Sequence, residues 1–130
     1  MVVTPKHRFK NFDEARSWAK ENIVGIHQNE DTKESVCIAK NTIGKYLSAS
    51  AVLKSIDKDI HLSALMQLPK LIKTAVLKER QKDKHNNPDI KEIQRFYGAI
   101  LYENNVYFVK ITVKAYPVWQ YKAYSYEVLK

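Results

Sequence analysis

Two strand-like stretches near the end of the chain decide the fold: IQRFYGAI at residues 93–100 and VYFVKITVK at residues 106–114, with ENN at 103–105 between them. In the second stretch the side chains alternate between two faces, with Tyr107, Val109, Ile111 and Val113 on one and Phe108, Lys110, Thr112 and Lys114 on the other. This period of two predicts a strand with one apolar face and one basic, polar face. A sheet face of this kind either holds a phosphodiester or is a solvated outer surface.

The composition is that of a soluble globular domain with an excess of positive charge. At 130 residues, 45% of them hydrophobic and 28% charged, the chain is expected to form one domain over residues 1–130. It carries 22 Lys and Arg against 14 Asp and Glu, a formal charge of +8. This excess favours nucleic acid or another polyanion as the partner.

A membrane-spanning protein is not expected, because the sequence contains no long apolar run of about 18 residues. Residues 1–10 also lack the hydrophobic core of a signal peptide. The expectation is therefore a cytoplasmic protein, or a part of a larger protein that is delivered elsewhere.

Metal and cofactor sites are not expected either. The single cysteine, Cys37, excludes an internal disulfide and a CxxC zinc site, and its place between Val36 and Ile38 predicts a small buried strand residue. With only three glycines, neither a P-loop nor a dinucleotide-binding fingerprint is present. No HExxH motif or carboxylate cluster indicates a metal ion.

Helical patterns dominate the first 80 residues. The predicted elements are a helix at 12–22 capped by Asn11, short strands at 23–28 and 34–39, a short helix at 41–47 and a link of small residues at 48–50. The longest helical pattern covers residues 57–80, where Pro69 predicts a kink or a restart as two helices.

The last third of the chain is predicted to be mostly strand. A charged and polar segment at 78–89 is expected to form a mobile loop, and strands are expected at 93–102, 106–116 and 123–129. The order of elements predicts an α+β fold, with N-terminal helices packed on a mainly antiparallel sheet of about four strands.

Among the four histidines, His61 is the best candidate for chemistry because it shares an apolar helical stripe with Leu65, Leu68 and Ile72. It is either a core histidine that bonds a backbone carbonyl or a general acid or base tuned by partial burial. His7 and His85 lie in charged segments and are expected to be solvated.

Cationic and aromatic residues near the predicted sheet could contact a phosphodiester. Lys54 and Ser55 precede the main helix and can approach His61, while Arg95 is either a phosphate ligand or an edge-strand side chain that reaches solvent. The aromatic residues Tyr116, Trp119, Tyr121, Tyr124 and Tyr126 either stack nucleobases or pack within the sheet.

The order of several short motifs resembles that of a large polyvalent protein-associated domain, a family found in phage and mobile-element proteins of bacteria. The motifs are HLSAL at 61–65, LPKL at 68–71, RFY at 95–97 and YFVKITVK at 107–114, with Lys54, Ser55 and YSYEV at 124–128 in support. The similarity covers about residues 12–128. This family is placed in the barnase/EndoU/colicin/RelE-like nuclease superfamily, which implies helices packed on a four-stranded antiparallel sheet.

The resemblance implies a metal-independent ribonuclease that uses the RNA 2′-hydroxyl as nucleophile and leaves a 2′,3′-cyclic phosphate. It assigns His61 as acid or base, with Arg95, Lys54 and Lys114 stabilising the phosphate charge. The residues expected to bind or orient substrate are Ser55, Tyr97, Lys110, Thr112 and Tyr126. Glu127 either supplies a carboxylate for this chemistry or pairs with a lysine.

The resemblance also implies a bacterial or phage toxin or effector domain. Its expected partners are RNA, such as tRNA or mRNA, and an acidic immunity or antitoxin protein, with no membrane and no cofactor. The alternative is a non-catalytic nucleic-acid-binding or protein-interaction module of a mobile-element protein.

Overall fold

Helices and strands are interleaved along the chain in the computed structural model, which describes residues 1–82, 87–117 and 120–130. The described strands are β1 (Val2–Val3), β2 (Gly25–Gln28), β3 (Ser35–Ile38), β4 (Val76–Gln81), β5 (Glu92–Tyr102), β6 (Asn105–Tyr116) and β7 (Gln120–Leu129). The described α-helices are α1 (Phe12–Asn22), α2 (Ile43–Tyr46), α3 (Ala49–Lys54), α4 (Lys58–Met66) and α5 (Leu68–Thr74), and a 3-10 turn at Lys40–Thr42 precedes α2.

All seven described strands belong to one sheet, in the order β1-β5-β6-β7-β3-β2, with β4 also paired to β5. Strands β5, β6 and β7 form a central antiparallel meander, while β1 pairs with β5 and β3 pairs with β7 in parallel. Because β6 covers one edge of β5 along its whole length, β1 and β4 share the other edge, one at each end.

The expected four-stranded sheet with the helices ahead of it is therefore wrong: the protein has a mixed α/β architecture built on a seven-stranded sheet. Strand β1 has only two residues, too few for a period to show in the sequence. The predicted hairpin of β2 and β3 is confirmed, but β3 joins β7 more than 80 residues further along the chain. Such non-local parallel pairing leaves no local sequence signal.

The segment after residue 57 also differs from its predicted form. Helix α4 ends at Met66 and α5 begins at Leu68 with Pro69 in its first turn, which confirms the predicted restart. The helical pattern then stops at Thr74, and residues 76–81 form β4 instead of helix or loop. The rest of the predicted loop includes residues 83–86, which lie outside the described residues.

Two further local predictions need correction. The expected link at 48–50 is the start of α3, because the Ser48 hydroxyl accepts a hydrogen bond from the backbone N–H of Ala51. Cys37 is only partly buried, because the alternation of β3 places Val36 and Ile38 in the core and Cys37 on the other face.

Strands β5 and β6 form a hairpin, which confirms the two strands predicted at 93–102 and 106–116. The two strands pair without interruption from Glu92 and Ala115 to Tyr102 and Asn105. Glu103 and Asn104 form the connecting turn with φ values of 47° and 65°, the conformation of a two-residue type I′ turn. The inner face of β6 is buried, as its apolar alternation predicts.

The core lies between this inner face and the helices, and residues from α1, α2, α4, α5 and five strands contribute to it. Helix α5 approaches β5 so closely that a Cβ at Gly98 would lie 3.2 Å from Leu71 Cδ2. None of the described helices is long and apolar enough to cross a membrane.

Candidate functional site

A cleft of about 460 Å³ opens between α3 and the outer face of the sheet, the face opposite the core. Six of the nine predicted site residues line it: Lys54, Arg95, Lys110, Thr112, Lys114 and Tyr126. We refer to it as the basic cleft. The structure therefore brings together residues that are up to 72 positions apart in the sequence, although it does not test their predicted roles.

Strand register explains why the cations converge. Arg95 of β5 lies opposite Thr112 of β6, and Lys110 lies between Tyr97 on one side and Glu127 of β7 on the other. Cross-strand neighbours share a face, so these side chains all lie on the outer face. Tyr97 is on this face but outside the cleft lining.

The sheet edge brings Lys54 to the same cleft. Beyond its short pairing with β3, the edge of β7 is bonded by the segment after α3: Ile56 N–H donates to Val128 O, and Val128 N–H donates to the Ser55 hydroxyl, both at 2.9 Å. These bonds hold the end of α3, and with it Lys54, beside the outer face.

Of the four cations that the described part of the chain contributes to the cleft, two are already paired. Lys110 Nζ lies 2.8 Å from a Glu127 carboxylate oxygen, and Arg95 Nη1 lies 3.6 Å from Glu79 Oε2. Lys54 and Lys114 make no ion pair with any described carboxylate within 4.0 Å. They are therefore the cations best placed to receive an anionic ligand.

His61 lies beneath this face, in the core, with no exposed surface. Its Nε2 is 2.8 Å from the carbonyl of Tyr46, which can only accept, so Nε2 carries the proton. Nδ1 is therefore the acceptor, and it lies 2.6 Å from the Ser55 hydroxyl, which donates to it. Both ring nitrogens are bonded within the protein.

Tyr126 and Tyr46 complete a buried network around this ring. The Tyr126 ring stacks on His61 at 4.3 Å between centroids, and its hydroxyl donates to the His61 carbonyl at 2.8 Å. Burial lowers the pKa of His61, and the bond to the Tyr46 carbonyl opposes that shift only in part. Burial also raises the pKa of Tyr126 well above its usual value. The network is therefore neutral near pH 7.

This geometry matches the core alternative for His61, a histidine that bonds a backbone carbonyl. The roles of His61 as acid or base and of Ser55 as a substrate ligand stay predictions. Either role requires the bond from His61 to Tyr46 or to Ser55 to break first, because no ring nitrogen faces the cleft.

Some cleft residues were missed by the sequence analysis. Gln81 belongs to β4, which the sequence predicted as helix or loop, and Ser125 faces the cleft because of a bulge between β6 and β7. A bulge inserts one residue and reverses the alternation after it, so periodicity could not place Ser125.

The remaining histidines lie outside the cleft. His7, expected to be solvated, pairs with Asp59 at 2.9 Å, and its side chain is only 12% exposed. This pairing lowers the pKa of Asp59. His27 bonds the carbonyl of Ile23, whereas His85 and Trp119 lie outside the described residues. Within residues 1–82, 87–117 and 120–130, no group of three or more His, Cys, Asp or Glu could hold a metal ion.

Comparison with known protein families assigns the chain to a family. The family model of large polyvalent protein-associated domain 3 matches residues 7–124, nearly the whole chain. No curated protein and no solved structure matches.

Proposed function

The chain belongs to the large polyvalent protein-associated domain 3 family, and on that premise we propose that it binds RNA, with the phosphodiester backbone held in the basic cleft. The observation that carries the proposal is the charge of the lining: among the described residues that line the cleft, Lys54, Arg95, Lys110 and Lys114 are four cations and Glu127 is the one carboxylate. Cations that replace condensed counterions supply most of the affinity for a nucleic-acid backbone.

The hydrogen-bond donors of the cleft suit phosphate as well. Arg95 presents a planar fork of N–H donors, and the hydroxyls of Thr112 and Ser125 lie on the same surface. Glu79, which pairs with Arg95, is about half exposed, so a phosphate can exchange with it at little desolvation cost.

The test is the affinity of the purified protein for a labelled RNA, measured by fluorescence anisotropy over a range of salt concentrations. We expect the double variant Lys54→Gln/Lys114→Gln to bind at least tenfold more weakly, with a salt slope smaller by about two. The matched control is Lys20→Gln/Lys58→Gln, which removes the same charge from exposed helix positions away from the cleft. Equal losses in both double variants would show that net charge alone binds RNA.

A second candidate function is metal-independent cleavage of the bound RNA, favoured by the position of Glu127. Its carboxylate lies in the cleft 2.8 Å from Lys110 and is mostly covered, next to the lysines that would hold phosphate. Glu127 is therefore our candidate base for the 2′-hydroxyl. The 2′-oxygen would attack phosphorus while cleft cations stabilise the charge of the transition state. As the bond from phosphorus to the 2′-oxygen forms, the bond from phosphorus to the 5′-oxygen breaks. Glu127 takes the proton of the 2′-hydroxyl, the leaving 5′-oxygen takes a proton from water, and a 2′,3′-cyclic phosphate remains.

Cleavage is tested by incubating the protein with total RNA and purified tRNA in the presence of a chelator, then mapping the product ends. We expect cyclic phosphate ends from the wild type and their loss in Glu127→Gln. Glu103→Gln is the matched control, because Glu103 also pairs with a lysine, Lys6, but lies outside the cleft. If the protein binds RNA but releases no cyclic phosphate products, it is a binding module without catalysis. If it has no affinity for RNA, the protein-interaction alternative is favoured.

A further inference from the structure

The strand pair β6–β7 contains a bulge at the floor of the basic cleft. Val113 faces Ala123 and Thr112 faces Ser125, so Tyr124 is the additional residue in β7. The bulge places two consecutive side chains, Tyr124 and Ser125, at the cleft, where a regular strand would place only one.

Among the described residues that line this cleft, Tyr124 presents the accessible aromatic ring. Tyr126, the other tyrosine in the lining, has its ring in the core against His61, whereas Tyr124 is 37% exposed. Two lysines approach the Tyr124 ring, with Lys114 Nζ at 3.5 Å and Lys45 Nζ at 5.2 Å from its centroid. The exposed ring thus lies beside Lys114, one of the cleft cations that attract a phosphate backbone.

We propose that Tyr124 is the stacking platform for one unpaired nucleobase, so that the RNA bound in the cleft is single-stranded. A base has an apolar face that can take the place of the Lys114 ammonium on the ring. The displaced Lys114 then pairs with the phosphate next to that base. In duplex RNA the bases are already stacked inside the helix and cannot reach Tyr124.

This inference rests on the proposed RNA binding, and its test separates the two. Three ligands are compared by competition: a single-stranded RNA of mixed sequence, the same strand in a duplex, and inorganic polyphosphate, a polyanion without bases. Each is measured against the wild type, Tyr124→Leu and Tyr124→Trp. The matched control is Tyr116→Leu, because Tyr116 also has a lysine over its ring, Lys122 at 5.2 Å, but lies outside the cleft lining.

We expect Tyr124→Leu to weaken binding of single-stranded RNA on the order of tenfold, the loss typical of one stacked base, and to leave the polyphosphate affinity unchanged. Tyr124→Trp should retain the RNA affinity, and Tyr116→Leu should change neither. Equal loss for RNA and polyphosphate, or no loss in Tyr124→Leu, overturns the inference while the cleft still binds RNA. A wild type that binds none of the three ligands overturns the proposed function as well.

Discussion

His61 connects three parts of the chain through one buried ring. Its Nε2–H bonds the carbonyl of Tyr46 in α2, its Nδ1 bonds Ser55 ahead of α4, and its ring stacks on Tyr126 of β7. The Ser55 hydroxyl also accepts from Val128, so the network holds the edge of β7 against the helices. A proton on Nδ1 would leave a charge in the core without a carboxylate partner in this network.

We expect the protein to lose stability as the pH falls below about 6.5. The folded pKa of His61 lies below its usual value of 6.5, so the unfolded chain takes up the proton first and gains stability relative to the folded chain. The contribution of the neutral His61 to the free energy of unfolding is complete above pH 6.5. It is lost as the pH falls from 6.5 towards the folded pKa, by at most about 1.4 kcal/mol per pH unit. Urea unfolding from pH 5 to 8 measures this dependence, and His61→Leu should have a smaller slope. An imidazole that titrates at or above 6.5 in the folded protein, followed by NMR, would contradict the prediction.

Asn29 is a second buried side chain whose bonds are all made inside the protein. Its amide donates to the carbonyls of Ile72 and Ala75 at 2.7 and 2.8 Å, and its Oδ1 accepts from the N–H and hydroxyl of Thr32. One side chain thus caps the end of α5 and closes the turn between β2 and β3.

We predict that Asn29→Ala lowers the free energy of unfolding by about 3 kcal/mol, because it leaves the two carbonyls buried without a donor. The comparison is Asn22→Ala, which removes an amide-to-carbonyl bond of 2.8 Å at an exposed site and should cost less than about 1 kcal/mol. Denaturant unfolding of both variants gives the difference. If both variants lose a similar free energy of unfolding, the burial of the two carbonyls does not contribute to stability.

Helix α5 packs closely against strand β5 at Gly98. Of the described glycines, this is the one with the least space around its Cβ position. At Gly98 a Cβ would lie 3.2 Å from Leu71 Cδ2 and 3.7 Å from Ala75 Cβ, whereas nothing lies within 4 Å of such an atom at Gly44. The missing side chain of Gly98 therefore permits the close approach of α5 to β5.

The branched side chain in Gly98→Val should force α5 away from the sheet and destabilise the protein by about 1–3 kcal/mol, despite the higher strand propensity of valine. Gly44→Ala in α2 provides the opposite control: it should be neutral or stabilising by up to about 1 kcal/mol, since helix propensity rises without a contact. Thermal unfolding by circular dichroism measures both, and a stabilised Gly98→Val would refute the packing argument.

At the scale of the whole molecule, helices and sheet share one hydrophobic core. Ala15 and Ala19 of α1 belong to the same buried cluster as Ile100 of β5 and Val128 of β7. The parallel pairing of β3 with β7 further ties the first third of the chain to the last. The cations Lys54, Arg95, Lys110 and Lys114 lie at the basic cleft, on the opposite side of the sheet.

We therefore expect the chain to unfold in one cooperative transition. In a Trp119→Phe variant the fluorescence of Trp18, which packs against the core from α1, should change at the same urea concentration as the far-ultraviolet circular dichroism of the sheet. Coincident midpoints would support the predicted single domain. An earlier change of Trp18 would show that α1 separates from the sheet before the strands do.

Much of the candidate site could be predicted from the sequence, because alternation within one strand is a local property. The pattern of β6 correctly placed Lys110, Thr112 and Lys114 on one face. That Arg95 shares this face was decided by the register of β5 against β6. The sequence could not decide whether His61 is a core histidine or a general acid or base. Its burial depends on Tyr46 and Tyr126, which are distant in sequence.

The sequence by itself determined the long hairpin, the first helix with its Asn11 cap, the break at Pro69, and the basic face of β6, because each depends on neighbours within a few residues. Only the tertiary structure decided that β1, β3 and β4 join the central strands, that a bulge turns Tyr124 and Ser125 to the cleft, and that Lys54 reaches it. The physical reason is that hydrogen bonds and packing between distant segments set strand pairing and burial. The sequence shows no periodic pattern for such contacts.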